Sequence, residues 1–307
     1  MTVGLAPQLK KYTVIPTERS DEGPHADYRK LLKKHQRTTQ QQRFRPKLMD
    51  RVTTKIDNRG VARVTINNPD KHNAFDDQII TQLTQAFVAI ANNADVRVMV
   101  LGSAGKSFSA GADLGWMQRM ANYSYEENLR DSHALAKMLH TLYTIPQPTI
   151  ARIQGAAFGG AVGLVSCCDI AIAAKAASFS LSEVKIGLVP ATISPYVIAA
   201  IGERASRRYF VTAERFDAET AEQLGLVSEV TKIEELDTKI EEIVAAVLAN
   251  SPAAVKAAKQ LIFDISGKPI NESLIDQTCE TIAAIRVSEE SQEGLKAFLE
   301  KRAPKWI

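Results

Sequence analysis

The chain has 307 residues, 45% of them hydrophobic and 24% charged, with a formal net charge of +3. That is enough apolar mass for one large domain, or one large domain with a small appendage. No apolar run reaches the ~18 residues of a membrane span, and the start of the chain lacks the charged, apolar and small-residue regions of a secretory signal, so a soluble, cytoplasmic protein is expected.

The charge is uneven. Residues 1–50 hold 11 Lys/Arg against 5 Asp/Glu, whereas residues 51–307 hold 27 against 30. The first segment therefore reads as a basic, flexible N-terminal extension, polar and rich in Gln, a solvated tail rather than a nucleic-acid arm. Cys167, Cys168 and Cys279 have neither zinc-ligand spacing nor a disulfide framework; they read as small buried hydrophobes in a reducing compartment.

Regular patterning begins at Val52. Two alternating runs flank Asp57, Asn58, Arg59 and Gly60, which predicts a β-hairpin. Next come a helix over 76–91, a buried strand over 97–101, a helix over 125–142, a strand over 149–154, a short helix from Gly159 and a strand over 169–173. Pro146 and Pro148 follow the 125–142 helix, and Ser251 with Pro252 supplies a cap and a first-turn proline for a helix over 253–263. Beyond Glu214 the pattern is nearly all helical, at 218–224, 234–249, 253–263, 272–288 and 293–302, with one strand at 226–230. The order predicts an α/β core over 51–249 and a helical region over 250–307. Ile282 and Ile285 with Leu295 and Phe298 form an apolar stripe that suits either a partner subunit or intrachain packing.

Two segments carry chemical signals. The first, from Gly105 through Ser109, Ala110, Gly111, Ala112 and Asp113 to Leu114, crowds small residues where a strand ends, so that backbone N–H groups can approach a ligand. Asp113 suits the N-cap of a helix through Trp116 and Met120. The second, Gln154 to Leu164, repeats strand, glycine-rich turn and helix, and a helix start offers unpaired N–H groups to a polarised carbonyl. Two such turns suit a two-donor oxyanion hole; a tight turn with no ligand is the alternative for the first, and nucleotide binding the weaker alternative for the second. No phosphate-loop pattern is present.

These two segments, together with Asn67, Asn68, Pro69, Asp70, Lys71, His72, Asn73, Ala74 and Phe75, resemble the crotonase (enoyl-CoA hydratase/isomerase) superfamily over residues 52–307. The resemblance implies a crotonase-like spiral of ββα units with a C-terminal helical region serving oligomerisation, as homotrimer or homohexamer, and active-site closure. It implies an acyl-CoA thioester substrate, with CoA present only as part of that substrate and no metal. By position, the oxyanion donors are the N–H groups of Ala112 and Gly160, and Glu183 is the catalytic carboxylate. Lys71, His72, Ala74, Ala110, Asp113 and Leu114 would lie along CoA. Hydratases of the family typically use a second glutamate, which would fall at Gly163; this chain has none there, leaving Glu183 with most of the acid–base work.

Within the family, the runs 109–117, 167–169 and 183–196 are most similar to bacterial methylglutaconyl-CoA hydratases. That implies water addition to 3-methylglutaconyl-CoA in leucine breakdown. A Δ3,Δ2-enoyl-CoA isomerase using one glutamate is the rival enzyme, and a weakly catalytic RNA-binding relative the rival of another class. Trp116 and Met117 are expected to line the acyl cavity. Arg119 and Arg130 are candidates for a substrate carboxylate, against the alternative of solvated helix faces, and His133 and His140 are expected to be packing residues.

Overall fold

The structure is a computed structural model and describes residues 50–307; the basic extension expected over 1–50 lies outside them except for Asp50. Strands β1 (Val52–Ile56) and β2 (Val61–Ile66) form the expected hairpin. Its turn is held by Asp57 Oδ1, which accepts the N–H groups of Arg59 and Val61 at 2.9 and 3.0 Å, and Gly60 supplies a φ of 80°. Helix α1 (Asp77–Ala91) starts one residue later than expected because Asp76 is its N-cap, accepting from Ile79 N–H. Strand β3 (Val98–Ser103) leads to α2 (Leu114–Met120), capped by Asp113. Helix α3 (Tyr125–Tyr143) opens on a reciprocal capping box between Ser124 and Glu127.

After these come β4 (Thr149–Ile153), β5 (Ala157–Phe158), α4 (Gly160–Cys167), β6 (Ile170–Ala174) and β7 (Ser178–Ser180). Then follow α5 (Ser194–Thr212), β8 (Phe216–Asp217), α6 (Ala218–Gln223), β9 (Glu229–Thr231) and α7 (Leu236–Leu248). The chain ends in α8 (Pro252–Ile265), α9 (Glu272–Arg286) and α10 (Glu289–Leu299), whose N-caps are Ser251, Asn271 and Ser288. The last helix therefore begins four residues before its expected start, because Ser288 can cap and the pattern at 293 cannot. The expected strand at 226–230 is present only from Glu229. Helix α5 was not anticipated.

The main sheet runs β1-β2-β3-β4-β6-β9, parallel except for the β1/β2 pair, and a small second sheet runs β5-β7-β8. Its central strands are covered on both faces. Ala62, Val64, Met99, Leu101, Ala151 and Ile153 join the larger core with α1, α3 and α4, while the alternate Val61, Val98, Val100 and Ile150 pack on Leu236, Ile240 and Val244 of α7. This is the expected α/β alternation. Helices α8 and α9 have no fully buried residue, and Ile282, Leu295 and Phe298 are exposed, Phe298 by 81%. Cys167 is buried and Cys168 half-buried, but Cys279 is exposed on α9, contrary to expectation. No described helix is long and apolar enough to cross a membrane.

Candidate active site

The two glycine-rich turns lie against each other. Ser109 N–H donates to Ala156 O and Phe158 N–H donates to Ser109 O, both at 3.0 Å, a one-residue parallel bridge. The contact tolerates no side chains: a Cβ on Gly155 would stand 2.0 Å from Lys106 O, and one on Gly111, at φ +91°, would stand 3.1 Å from Phe158 O. Phe75 locks the first turn from the other side. Its N–H donates to Gly111 O and its O accepts from Asp113 N–H, both at 2.7 Å.

That bridge uses the residues on either side of Ala112 and leaves the Ala112 N–H without a partner among the described residues. Gly160 is the first residue of α4, so its N–H has no intrahelical acceptor. Its own turn is fixed by Gly159, whose N–H donates to Ser180 O at 2.9 Å. Ala112 and Gly160 open on one cavity of about 480 Å³, walled mainly by apolar side chains such as Phe75, Met117, Leu135, Leu188 and Ile193.

Glu183 lines the same cavity. It follows β7 on a one-turn helix, Glu183–Ile186, which Gly187 ends in a left-handed conformation. One carboxylate oxygen, Oε1, would lie 3.1 Å from a Cβ on Gly159, so the carboxyl stands beside the second turn. The other, Oε2, is buried and unpartnered among the described residues. Burial pushes the carboxyl above the usual carboxylate range. An acid–base group raised in this way, next to two unused N–H donors, can move a proton at a polarised substrate. Gly163 is buried inside α4, and the space beside it belongs to Ile193.

The loop before Phe75 is built on Asn73, which is fully buried. Its Nδ2 donates to Ala104 O and Ser107 O at 2.7 and 2.8 Å, and its Oδ1 accepts from Asn68 N–H at 2.9 Å. Neighbouring His72 is exposed and left-handed at φ 50°, and its O accepts from Ala110 N–H. Lys71 pairs with Asp113 at 2.7 Å. Burial alone would raise the Asp113 carboxyl, but the hydrogen bonds from Lys71 and from Trp116 N–H hold it below its ordinary range. Of the six residues expected along CoA, Ala110 and Leu114 line the cavity, Lys71 and Asp113 pair with each other, His72 is exposed beside them, and the Ala74 N–H is used within the loop.

Trp116 and Met117 line the cavity as expected. Arg119 pairs with Asp77, and neither it nor Arg130, His133 or His140 reaches the cavity wall. Sequence reasoning missed Asp131, Ser132 and Lys185, which do. Asp131 lies on α3 one helical turn before Leu135, and only the tertiary packing shows that this face meets the cavity. Among the described residues no cluster of three His, Cys, Asp or Glu side chains is arranged to hold a metal.

The sequence profile described as "Enoyl-CoA hydratase/isomerase" matches residues 57–307. An enoyl-CoA hydratase from Shewanella pealeana is similar in structure at 46% identity and a TM-score of 0.81, covering 84% of this chain and 97% of that one. An enoyl-CoA hydratase from Mycobacterium smegmatis is similar at 33% identity and a TM-score of 0.79, covering 83% and 98%. Among curated relatives, the enoyl-CoA hydratase AKT6-1 of Alternaria alternata is 31% identical over 241 residues, covering 78% of each chain.

Proposed function

The chain belongs to the enoyl-CoA hydratase/isomerase family and has its α/β crotonase fold, and from that premise we propose that it adds water to a branched or carboxylated enoyl-CoA, specifically 3-methylglutaconyl-CoA in leucine breakdown. The observation that carries the hydratase reading is the placing of Glu183 in one cavity with the unused N–H groups of Ala112 and Gly160. The subfamily reading is supported by the similarity of runs 109–117, 167–169 and 183–196.

In this reading the thioester oxygen accepts both N–H groups, which makes the β-carbon electrophilic. Each donor contributes about 3–4 kcal/mol to the enolate-like transition state. Glu183 takes a proton from water as the water oxygen bonds to the β-carbon, and the electron pair of the double bond moves into the enolate. The proton then passes from Glu183 to the α-carbon as the carbonyl re-forms. CoA would run past Lys71, His72, Ala74, Ala110, Asp113 and Leu114. The exposed apolar residues of α9 and α10 support a trimer or hexamer built through the 250–307 region.

Gly163 favours one alternative. With Ile193 in the space of a second carboxylate, a single glutamate shuttling a proton between carbons also suits a Δ3,Δ2-enoyl-CoA isomerase. Incubation with crotonyl-CoA, 3-methylglutaconyl-CoA and a Δ3-enoyl-CoA, read by product mass, decides between them. Hydration adds the mass of one water and isomerisation adds nothing.

A further inference from the structure

Two polar groups in the wall of the acyl cavity have no part in the proposed hydration. Trp116 on α2 is only 5% exposed and belongs to the main core, yet its Nε1–H makes no hydrogen bond of normal geometry to any described residue. The Asp131 carboxyl, on α3, lies beside that indole. Both residues line the cavity, whose lining also includes Met117, Met120, Ser132, Leu135 and Ile193.

A hydrocarbon chain against this wall would offer the buried indole donor and the half-buried carboxyl no partner beyond each other, and polar groups left so discriminate against ligands that cannot satisfy them. Resting on the acyl-CoA reading above, we propose that Trp116 and Asp131 select the acyl chain, by binding an oxygen on it that accepts the indole N–H and shares a proton with the Asp131 carboxyl. A hydroxyl or a carboxyl group has that chemistry. Burial, with a smaller contribution from Asp77, raises the Asp131 carboxyl above its ordinary range, and the Trp116 indole and Arg119 oppose this. Glu183 and Lys185 are the other charged groups on the cavity wall among the described residues. The proton that a substrate carboxylate would share is thus better held at mildly acidic pH than at alkaline pH.

Three saturated five-carbon thioesters test this without turnover: valeryl-CoA, 5-hydroxyvaleryl-CoA and glutaryl-CoA, titrated calorimetrically into the full-length protein. Wild type is expected to bind one of the two oxygenated chains ~10-fold or more tightly than valeryl-CoA. A glutaryl preference that fades as pH rises identifies a carboxyl ligand; a hydroxyvaleryl preference indifferent to pH identifies a hydroxyl. Trp116→Phe should bring either preference, taken as the ratio to valeryl-CoA in the same variant, to within ~2-fold. Asp131→Asn, a substitution at a half-buried site, should abolish the pH dependence of a glutaryl preference, or weaken a hydroxyvaleryl preference, each again taken as that ratio. Equal binding of all three thioesters, or a preference that survives both substitutions, overturns the inference. The outcome separates from that of the parent reading. A preference in a protein that adds no water to any enoyl-CoA would sink the hydratase assignment alone, and hydration without a preference would sink this inference alone.

Discussion

A Cβ added to Gly163 would stand 2.4 Å from Ile193 Cγ2 and 2.8 Å from its Cβ, with Leu139 Cδ2 next at 3.5 Å. The position at which a second catalytic glutamate would project is therefore filled by a branched side chain from the segment leading into α5. Glycine at 163 and isoleucine at 193 act as a matched pair, and changing one alone overpacks the core. Gly163→Glu should cost about 1–3 kcal/mol or more, a fall of several degrees in Tm, and should not raise kcat. Adding Ile193→Ala should recover part of the lost Tm. Thermal unfolding of the two variants checks this, and a single variant as stable as wild type would refute it.

Glu183 links activity and stability to pH with opposite signs. Burial raises its carboxyl pKa above the unfolded value, so between the two pKa values the folded state binds more protons. Stability from this group then falls as pH rises through that window. Glu183→Gln should be more stable than wild type at neutral pH and equal to it below about pH 4, where both forms of the chain are protonated. Activity should run the other way, because the proposed hydration uses the base form: kcat/KM should drop as pH falls through the raised pKa, above the ordinary carboxylate range. The Gln variant should lose ~10²–10⁴-fold in kcat at all pH values. Urea unfolding at several pH values and a pH–rate profile measure the two halves.

Much of this arrangement was legible in the chain. Although the Ser288 cap of α10 was passed over, several helices with side-chain caps, among them α1, α2, α3, α8 and α9, could be placed from Asp76, Asp113, Ser124, Ser251 and Asn271 with the apolar spacing behind them. Helix α5 could not, because it lacks a capping side chain at Ile193 and Gly202 breaks its φ/ψ at 76° and 162°, splitting the apolar period. Strands β5, β7 and β8 have two or three residues each, too few for alternation to register. At the site, the glycine turns announced close backbone approach. The filling of the Gly163 space by Ile193 and the meeting of Trp116 with Asp131 are tertiary contacts, and no local pattern encodes them.

Asn73 should be the least replaceable residue of the loop proposed to run along CoA. Its side chain makes three hydrogen bonds from a fully buried position, and its φ of 55° suits asparagine better than most residues. Asn73→Ala leaves Asn68 N–H and Ala104 O to find new partners, at about 1–3 kcal/mol for each one left buried and unpaired, while Ser107 O keeps its bonds from Ser103 Oγ and Gln154 Nε2. The expected result is a clear loss of stability in chemical denaturation. In a variant that remains folded, KM should rise more than kcat falls, since the proposed place of the loop is along CoA rather than at the reacting carbons.

The register of the two turns rests on Gly155, where an added Cβ would lie 2.0 Å from Lys106 O. Gly155→Ala must push the first turn away from the second, and with it the Ala112 N–H away from the Gly160 N–H. An oxyanion hole acts through donors fixed at hydrogen-bond distance from the developing charge, and a shift of about 1 Å costs on the order of 10²-fold in rate. The variant should therefore lose kcat by ~10–10²-fold and also unfold at lower temperature. Gly102→Ala, in β3, is the matched comparison. Its Cβ would meet Arg152 Cδ at 3.6 Å, an ordinary contact, so kcat should stay within ~2-fold of wild type. If both alanines slowed the reaction equally, separation of the turns would not be the cause. If only Gly155→Ala did so, the rate would be tied to the contact that holds the two N–H donors in register.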